Sequence, residues 1–252
     1  MQVISNAIRI IECVVRNQPL GVTEIAKMLD LPKTTVHRTL QSLEDNNWIS
    51  RQRQDSRKWV LTPRLWLLAN EGPGVEIRDL TLAAQEKLNK VTDENVHITQ
   101  SEGDTIVVID KIESSQPIRV YDPLGTKVPL HQSSSGKAML STWADDDIES
   151  YLDRVEEKAL DRTNTLHYDR SRIRAELQQV RECGYAVNTG NWRPEISGIG
   201  TSLPLSGKDA PAPYGLAISI PTHRFGDELL PEFTEHLLEA RQSVLLAAGI
   251  YE

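Results

Sequence analysis

The chain has 252 residues, of which 39% are hydrophobic and 25% are charged, as in a globular protein with a packed core. Two cysteines argue against a disulfide framework, and no apolar run approaches the length of a membrane span or a secretory signal, so a cytoplasmic protein is expected. The net charge of −8 would argue against a nucleic-acid binder if the charge were evenly spread.

The charge is not evenly spread. Residues 1–66 contain 10 Lys and Arg against 6 Asp and Glu, a local charge of +4. The remaining residues carry 18 basic and 30 acidic side chains, a charge of −12. A basic head on an acidic body predicts two domains with different partners.

The head has the pattern of a winged helix-turn-helix. Apolar residues at helical spacing predict a first helix over 3–15, which "NQPLG" ends. Thr23 is expected to cap a second helix that ends at Leu29, and Pro32 to open a third that ends at 46 or 47. The segment "WISRQRQDSRKWVLT" (48–62) predicts a basic hairpin, the wing. The short turn between the second and third helices is the diagnostic feature.

The third helix carries side chains suited to DNA. In "LPKTTVHRTLQSLEDNNWIS" (31–50), Val36, Leu40 and Leu43 share one stripe and are expected to be buried. The opposite face offers hydroxyl, imidazole, guanidinium and amide groups, which hydrogen-bond base edges and phosphates. The hairpin arginines are expected to contact phosphates and add salt-dependent affinity. The predicted DNA-contacting residues are Lys33, Thr34, Thr35, His37, Arg38, Gln41, Arg51, Arg53 and Arg57.

The body alternates strand and helix patterns. After the break at "NEGPG" (70–74), a connecting helix is predicted to about residue 91. The predicted strands are 96–101, 105–112, 117–121, 185–188, 198–206 and 214–220, and the predicted helices are 133–143, 169–183 and 226–248. The whole is an α+β fold, with a mainly antiparallel sheet in the body.

No enzyme motif or metal site stands out. Ser134 and Lys137 match a Ser-x-x-Lys nucleophile pattern, but neither Ser-Asp-Asn nor Lys-Thr-Gly occurs in the chain. The serines and Gly136 at a helix start either bind an anion or carbonyl through backbone N–H groups or only cap the helix. The histidines and cysteines lack the close pair spacing of a zinc site: His97, His131, His167, His223, Cys13 and Cys183. Neither a catalytic residue nor a cofactor is therefore predicted.

Five segments carry a family resemblance. They are "GVTEIAKMLDLPKTTVHRTLQSLED" (21–45), "GTKVPLHQSSSGKAMLS" (125–141), "CGYAVN" (183–188), "GIGTSLPL" (198–205) and "GLAISI" (215–220). With them the chain resembles the IclR family of bacterial transcriptional regulators over nearly its full length. The resemblance implies a winged-helix domain over 1–68, a linker helix over 69–92, and a GAF-like effector-binding and oligomerisation domain over 93–252. It also implies dimers or tetramers on palindromic operator DNA.

The resemblance also implies an effector site, formed by Ile118, Tyr121, Ser135, Gly136, Asn188, Thr201 and Ser219. The chain departs from the family near this site. Asn188 stands where the family usually has an acid, the segment "TGNWRPEIS" (189–197) is unusual, and "PTH" (221–223) replaces a frequent Ser-Gly-Pro. A neutral amide in place of an acid favours an anionic ligand.

These observations lead to one functional hypothesis and one alternative. The protein is expected to be a ligand-responsive DNA-binding regulator of a catabolic operon, a repressor that a small organic acid releases, with no membrane partner. The alternative is a small-molecule sensor or enzyme-like domain whose winged head contacts another protein.

Overall fold

The structure of the protein, a computed structural model, describes residues 2–70, 74–160, 169–206 and 210–250. Two compact units are present, Met1–Ile77 and Arg78–Glu252. The centre of the "NEGPG" break and His167 lie outside the described residues. Within those residues, no helix has the length and hydrophobicity that a bilayer span requires.

The first unit combines helices with a small sheet. Its elements are α1 (Gln2–Asn17), β1 (Leu20–Gly21), α2 (Val22–Leu29), α3 (Lys33–Asp45), β2 (Ile49–Arg51), β3 (Lys58–Leu61) and α4 (Arg64–Asn70). The strands pair antiparallel in the order β1-β3-β2. Three helices followed by this hairpin form the predicted winged helix-turn-helix, whereas α4 was not predicted.

The core of this unit confirms the predicted stripe on α3. Val36, Leu40 and Leu43 are buried together with Trp59 of β3. The predicted cap of α2 is wrong, because the helix begins at Val22 and Gly21 holds the N-cap position. Oε2 of Glu24 accepts the Gly21 N–H at 2.7 Å, so the acid three residues on satisfies a helix-start N–H group.

The second unit is built on a larger sheet. The helix α5 (Gly74–Thr92) leads to β4 (Asn95–Glu102), β5 (Thr105–Ile112), β6 (Lys127–Pro129), α6 (Ser134–Leu140), α7 (Asp145–Leu160), α8 (Arg170–Cys183), β7 (Ala186–Thr189), β8 (Ile196–Leu203), β9 (Tyr214–Pro221) and α9 (Leu230–Ala247). Short 3₁₀ turns occupy Leu130–Gln132 and Thr222–Arg224. The six strands pair antiparallel in the order β6-β5-β4-β9-β8-β7, and α6 packs on β7, β8 and β9. The predicted α+β fold with its antiparallel sheet is therefore confirmed.

One predicted strand, 117–121, does not form. Side chains that are distant in sequence donate hydrogen bonds to its backbone carbonyl groups. Asn95 Nδ2 donates to Val120 O at 2.6 Å, and Arg224 Nη1 donates to Ile118 O at 2.7 Å. Pro117 has no N–H to offer a neighbouring strand. The segment is therefore a loop held by side chains.

Candidate functional site

The outer face of α3 lies open to solvent. Lys33, Thr34, His37, Arg38 and Gln41 are exposed, and Thr35 is half-buried. Within the described residues, neither the His37 side chain nor the Arg38 side chain has a hydrogen-bond or ion-pair partner. Gln41 Nε2 lies 3.2 Å from Glu44 Oε2 and 3.2 Å from Asp45 Oδ1. Most side chains of the predicted DNA-contacting face can therefore bind DNA without first losing a hydrogen bond or ion pair within the protein.

The arginines of the hairpin differ in their contacts and in their exposure to solvent. The guanidinium carbon of Arg51 lies 3.6 Å from the centre of a Trp59 ring, and its Nη1 donates to Ser56 O at 3.0 Å. The Arg57 side chain is 89% exposed and lies 3.1 Å from Asp55, where its hydrogen bonds lower the pKa of the Asp55 carboxyl. Arg53 is exposed. Arg51 therefore stabilises the wing through its contacts with Trp59 and Ser56, whereas Arg53 and Arg57 lie at the tip, between β2 and β3.

The N-terminal end of α6 lies in close contact with the sheet at Gly200 of β8. A Cβ atom at Gly200 of β8 would lie 2.4 Å from Ser135 N and 2.8 Å from the Ser134 carbonyl carbon. At Gly136, a Cβ atom would lie 2.3 Å from Leu130 O and 2.5 Å from Ser133 Oγ. All four distances are shorter than van der Waals packing permits, so both positions need glycine for close approach. They set how near the serines of α6 lie to the strands.

Lys137 of the same motif is buried, with 3% of its side chain exposed. Its Nζ lies 2.5 Å from Glu176 Oε2 on α8 and 3.3 Å from Val187 O. Burial raises the pKa of Glu176, but the hydrogen bonds and charges of Lys137 and Arg172 outweigh it and leave this pKa lowered. The lysine ties α6 to α8, so the Ser-x-x-Lys spacing serves packing.

A cavity of about 60 Å³ lies in front of the α6 start. Its floor is formed by β4, β8 and β9, and Asn188 of β7 adds an amide. Three predicted effector residues line it, namely Ser135, Asn188 and Ser219. Residues that were not predicted also line it, among them His97, Thr99, Asp122 and Trp192.

Two polar side chains of β4 face this cavity. Thr99 Oγ1 lies 3.0 Å from Ser135 Oγ and connects the strand to α6. His97 Nδ1 lies 3.1 Å from Ser219 Oγ, whereas its buried Nε2 has no hydrogen-bond partner in the part of the chain that the structure describes. Burial, with a contribution from the nearby Lys111 charge, lowers the pKa of His97 to about 4. The imidazole is therefore neutral near pH 7.

An ion pair connects two loops beside the cavity. Arg193 Nη1 lies 3.4 Å from Asp122 Oδ1. Burial raises the pKa of Asp122, and the charges of Arg193 and Lys111 oppose that shift. Trp192, the neighbour of Arg193, also lines the cavity. The unusual segment 189–197 thus supplies part of the cavity wall.

Four of the seven residues that the resemblance implied lie outside the cavity lining. Ile118 and Tyr121 are 65% and 74% exposed, because their segment is a solvent-facing loop rather than a strand. Gly136 contacts Leu130 and Ser133 instead. Thr201 follows Gly200, which faces α6, so the strand pleat turns Thr201 to the other face, where its Oγ1 donates to Gly184 O at 2.7 Å.

The sequence contains weak signals for some of the cavity residues that were not predicted. In "NVHITQ" (95–100), His97 and Thr99 alternate with Val96 and Ile98, so one face of a buried strand is polar. Asp122 has no such pattern around it. Trp192 lies in the segment that was already recognised as unusual.

Two family models and several known proteins match most of the chain. Residues 3–53 match the "IclR helix-turn-helix domain" and residues 73–245 match the "Bacterial transcriptional regulator IclR C-terminal" domain. HTH-type transcriptional regulator KdgR of Escherichia coli is 29% identical over 96% of this chain and 91% of its own length. The Thermotoga maritima IclR structure is 25% identical with a TM-score of 0.77 and covers 99% of both chains.

A further solved structure carries a ligand. An IclR homologue from Microbacterium hydrocarbonoxydans in complex with 4-hydroxybenzoate is 18% identical, has a TM-score of 0.77, and covers 98% of this chain and 99% of its own. At that identity it supports the fold. The matching family consists of transcriptional regulators, not enzymes. Because its two domain models together span most of the sequence, the chain belongs to the IclR family of bacterial transcriptional regulators.

Proposed function

We propose that the protein is a ligand-responsive repressor of a catabolic operon, released from its operator by a small organic acid. One observation carries the proposal. The same chain has an exposed, hydrogen-bonding α3 face in one unit and, in the other, a small cavity that polar and apolar side chains line together. The effector can release the operator only if it binds the released state more tightly than the DNA-bound state.

The winged head, residues 1–68, is proposed to read a palindromic operator with one α3 per half-site. His37, Arg38 and Gln41 face outward where base edges would lie, and Lys33 and Thr34 stand at the helix start, near phosphate. Residues 69–92 are proposed as the linker and 93–252 as the effector-binding and oligomerisation domain. A palindrome requires at least a dimer, so the mass of the protein in solution and of its DNA complex tests this part directly.

The wing arginines give a prediction about salt. Replacing Arg53 and Arg57 with Gln should weaken binding to all DNA sequences and reduce the log–log salt slope by about 0.9 for each phosphate that is no longer neutralised. Arg51→Gln should additionally destabilise the wing, because Arg51 covers Trp59. Fluorescence anisotropy titrations at several salt concentrations measure the slope. An unchanged slope in the Arg53 and Arg57 double variant would place the wing tip away from the duplex.

The effector proposal depends on the size and polarity of the cavity. A volume of about 60 Å³ admits roughly four waters, which corresponds to a compact molecule of a few carbons. Ser133, Ser134 and Ser135 place hydroxyl groups along one side, and Asn188 adds an amide where an acid would repel an anion. A carboxylate head at this serine side, with the carbon chain against Ile106 and Val108, suits the lining.

Asp122 provides a test of the charge of the effector. Its carboxyl lines the cavity, so it repels an anionic ligand, and Arg193 offsets only part of that repulsion. Asp122→Asn should therefore tighten acid binding by about fivefold, which is about 1 kcal/mol at the effective dielectric of a protein site.

Calorimetry of the full-length protein against small carboxylic acids and against the matching amides measures this effect. The amides should bind weakly to the native protein and gain nothing from Asp122→Asn. Equal binding of acids and amides would contradict an acid effector.

A further inference from the structure

The amide of Gln41, on the outer face of α3, is held in one orientation by two acidic side chains of the same helix. Its Nε2 lies 3.2 Å from Glu44 Oε2 and 3.2 Å from Asp45 Oδ1, at the i+3 and i+4 positions where helical side chains meet. An amide nitrogen carries two hydrogens, and each carboxylate can accept one of them. The reverse orientation would place the carbonyl oxygen against two carboxylates, so these contacts determine which end of the amide is free.

The Glu44 carboxylate is in turn held by the wing. Its Oε1 lies 3.5 Å from Nε of Arg51 on β2. The guanidinium of Arg51 stacks on Trp59, which is fully buried in the core of the first unit, and donates to Ser56 O. A continuous series of contacts therefore leads from the core through Arg51 and Glu44 to the amide of Gln41.

These contacts leave the carbonyl oxygen as the free group of the Gln41 amide. The side chain is exposed, and its Oε1 has no hydrogen-bond partner among the described residues. A glutamine with a free amide binds adenine through two hydrogen bonds, one donated to N7 and one accepted from N6. Because both Nε2 hydrogens of Gln41 are engaged, only the accepted bond remains possible.

An acceptor distinguishes two classes of base in the major groove. Adenine N6 and cytosine N4 are amino groups that donate a hydrogen bond, whereas guanine O6 and thymine O4 are keto groups that accept one. A carbonyl oxygen is attracted by the amino groups and repelled by the keto groups. The base class that Gln41 selects therefore depends on the two carboxylates that hold its Nε2.

We propose that Glu44 and Asp45 make Gln41 a hydrogen-bond acceptor on DNA, so that α3 selects adenine or cytosine over guanine or thymine at the base that Gln41 faces. Glu44 and Asp45 are positioning residues, which act through Gln41. This inference rests on the proposed function, in which the outer face of α3 reads the operator. It adds the acceptor character of one base contact and the class of base that this contact selects.

Selection of duplexes from a randomised DNA library by the full-length protein locates the contact. The base pair whose preference is lost in Gln41→Ala is the one that Gln41 reads. There the native protein should favour adenine and cytosine on one strand about tenfold over guanine and thymine, because a keto base replaces a hydrogen bond with repulsion. Glu44→Ala/Asp45→Ala lets the amide turn and donate to keto groups, so the preference for cytosine over guanine should fall to about twofold or less. Glu44→Gln/Asp45→Asn removes the same charges but keeps an acceptor oxygen at both positions, and should retain the preference.

A modified base tests the acceptor character in the native protein, without depending on a variant. Anisotropy titrations use the selected duplex with adenine at the Gln41 position and the same duplex with 7-deazaadenine, which lacks N7. The native protein should bind both within about twofold, because Gln41 makes no bond to N7. Glu44→Ala/Asp45→Ala, whose free amide can use N7, should bind the 7-deazaadenine duplex about fivefold more weakly.

Several results would overturn the inference while leaving a DNA-reading α3 in place. They are a native preference for guanine or thymine at the Gln41 position, a native protein that needs N7, and a Glu44→Ala/Asp45→Ala variant that matches the native protein in both assays. A Gln41→Ala variant that changes no base preference would overturn it as well. If the native protein enriches no sequence from the library, the proposed operator-reading function fails too.

Discussion

Replacing Arg38 with Ala should weaken binding to the operator by about 1–3 kcal/mol while changing binding to unrelated DNA far less. The Arg38 side chain is exposed in the middle of the outer face of α3, without an ion-pair or hydrogen-bond partner in the described ranges. A guanidinium in this position can form two hydrogen bonds to the O6 and N7 atoms of guanine. Removing a base contact of this kind reduces discrimination between sequences, whereas removing a phosphate contact does not.

Anisotropy titrations of the Arg38→Ala variant with operator and with unrelated DNA separate these cases. Arg16→Ala is the matched control, because it removes one exposed positive charge from α1. The control should leave the ratio of the two affinities unchanged. If Arg38→Ala weakens both DNAs equally, Arg38 contacts phosphate and another residue of α3 reads the bases.

Replacing Glu176 with Met should destabilise the second unit by about 3–5 kcal/mol, because it leaves the buried ammonium of Lys137 without its counter-ion. Val187 O, 3.3 Å from Nζ, is a neutral acceptor and cannot replace the charge of the carboxylate. Removing both charges in Lys137→Met/Glu176→Met should restore most of the stability. Arg172→Met is the control, since Arg172 forms an exposed i,i+4 pair with Glu176 worth about 0.5 kcal/mol.

Urea unfolding of the four proteins measures these free energies, and its pH dependence gives a second test. The pKa of Glu176 lies below its ordinary value of 4.5, so its stabilising contribution is present near neutral pH and is lost as the pH falls through the folded-state pKa. The double variant should lack this acid-dependent loss. If Glu176→Met costs no more than Arg172→Met, Lys137 does not depend on this ion pair.

Local patterns were sufficient for most of the fold. The helical spacing of Val36, Leu40 and Leu43 predicted which face of α3 is buried, because that spacing depends only on neighbouring residues. The strand Thr105–Ile112 has the bounds that its sequence pattern indicated. The loop 117–121 was missed, since Asn95 and Arg224, both distant in sequence, take its backbone carbonyls.

The cavity was harder to derive, because its lining depends on register and pleat. Thr201 and Gly200 are neighbours, yet only Gly200 faces α6, and motif spacing does not reveal which of the two does. His97 was not predicted as a cavity residue because a single histidine in an apolar strand usually belongs to the core. Its place in the cavity lining depends on the register between β4 and β9, and that is a property of packing.

The most direct test of the central claim is a titration of the full-length protein with the DNA that precedes its own gene, against unrelated DNA of equal length. At physiological salt, a sequence-specific regulator should bind its own upstream region about 10³-fold or more tightly than unrelated DNA, in line with other specific DNA-binding proteins. Adding an effector acid should reduce that preference. Equal affinity for the two DNAs at every salt concentration would contradict a DNA-reading role for the α3 face and favour a winged head that contacts protein.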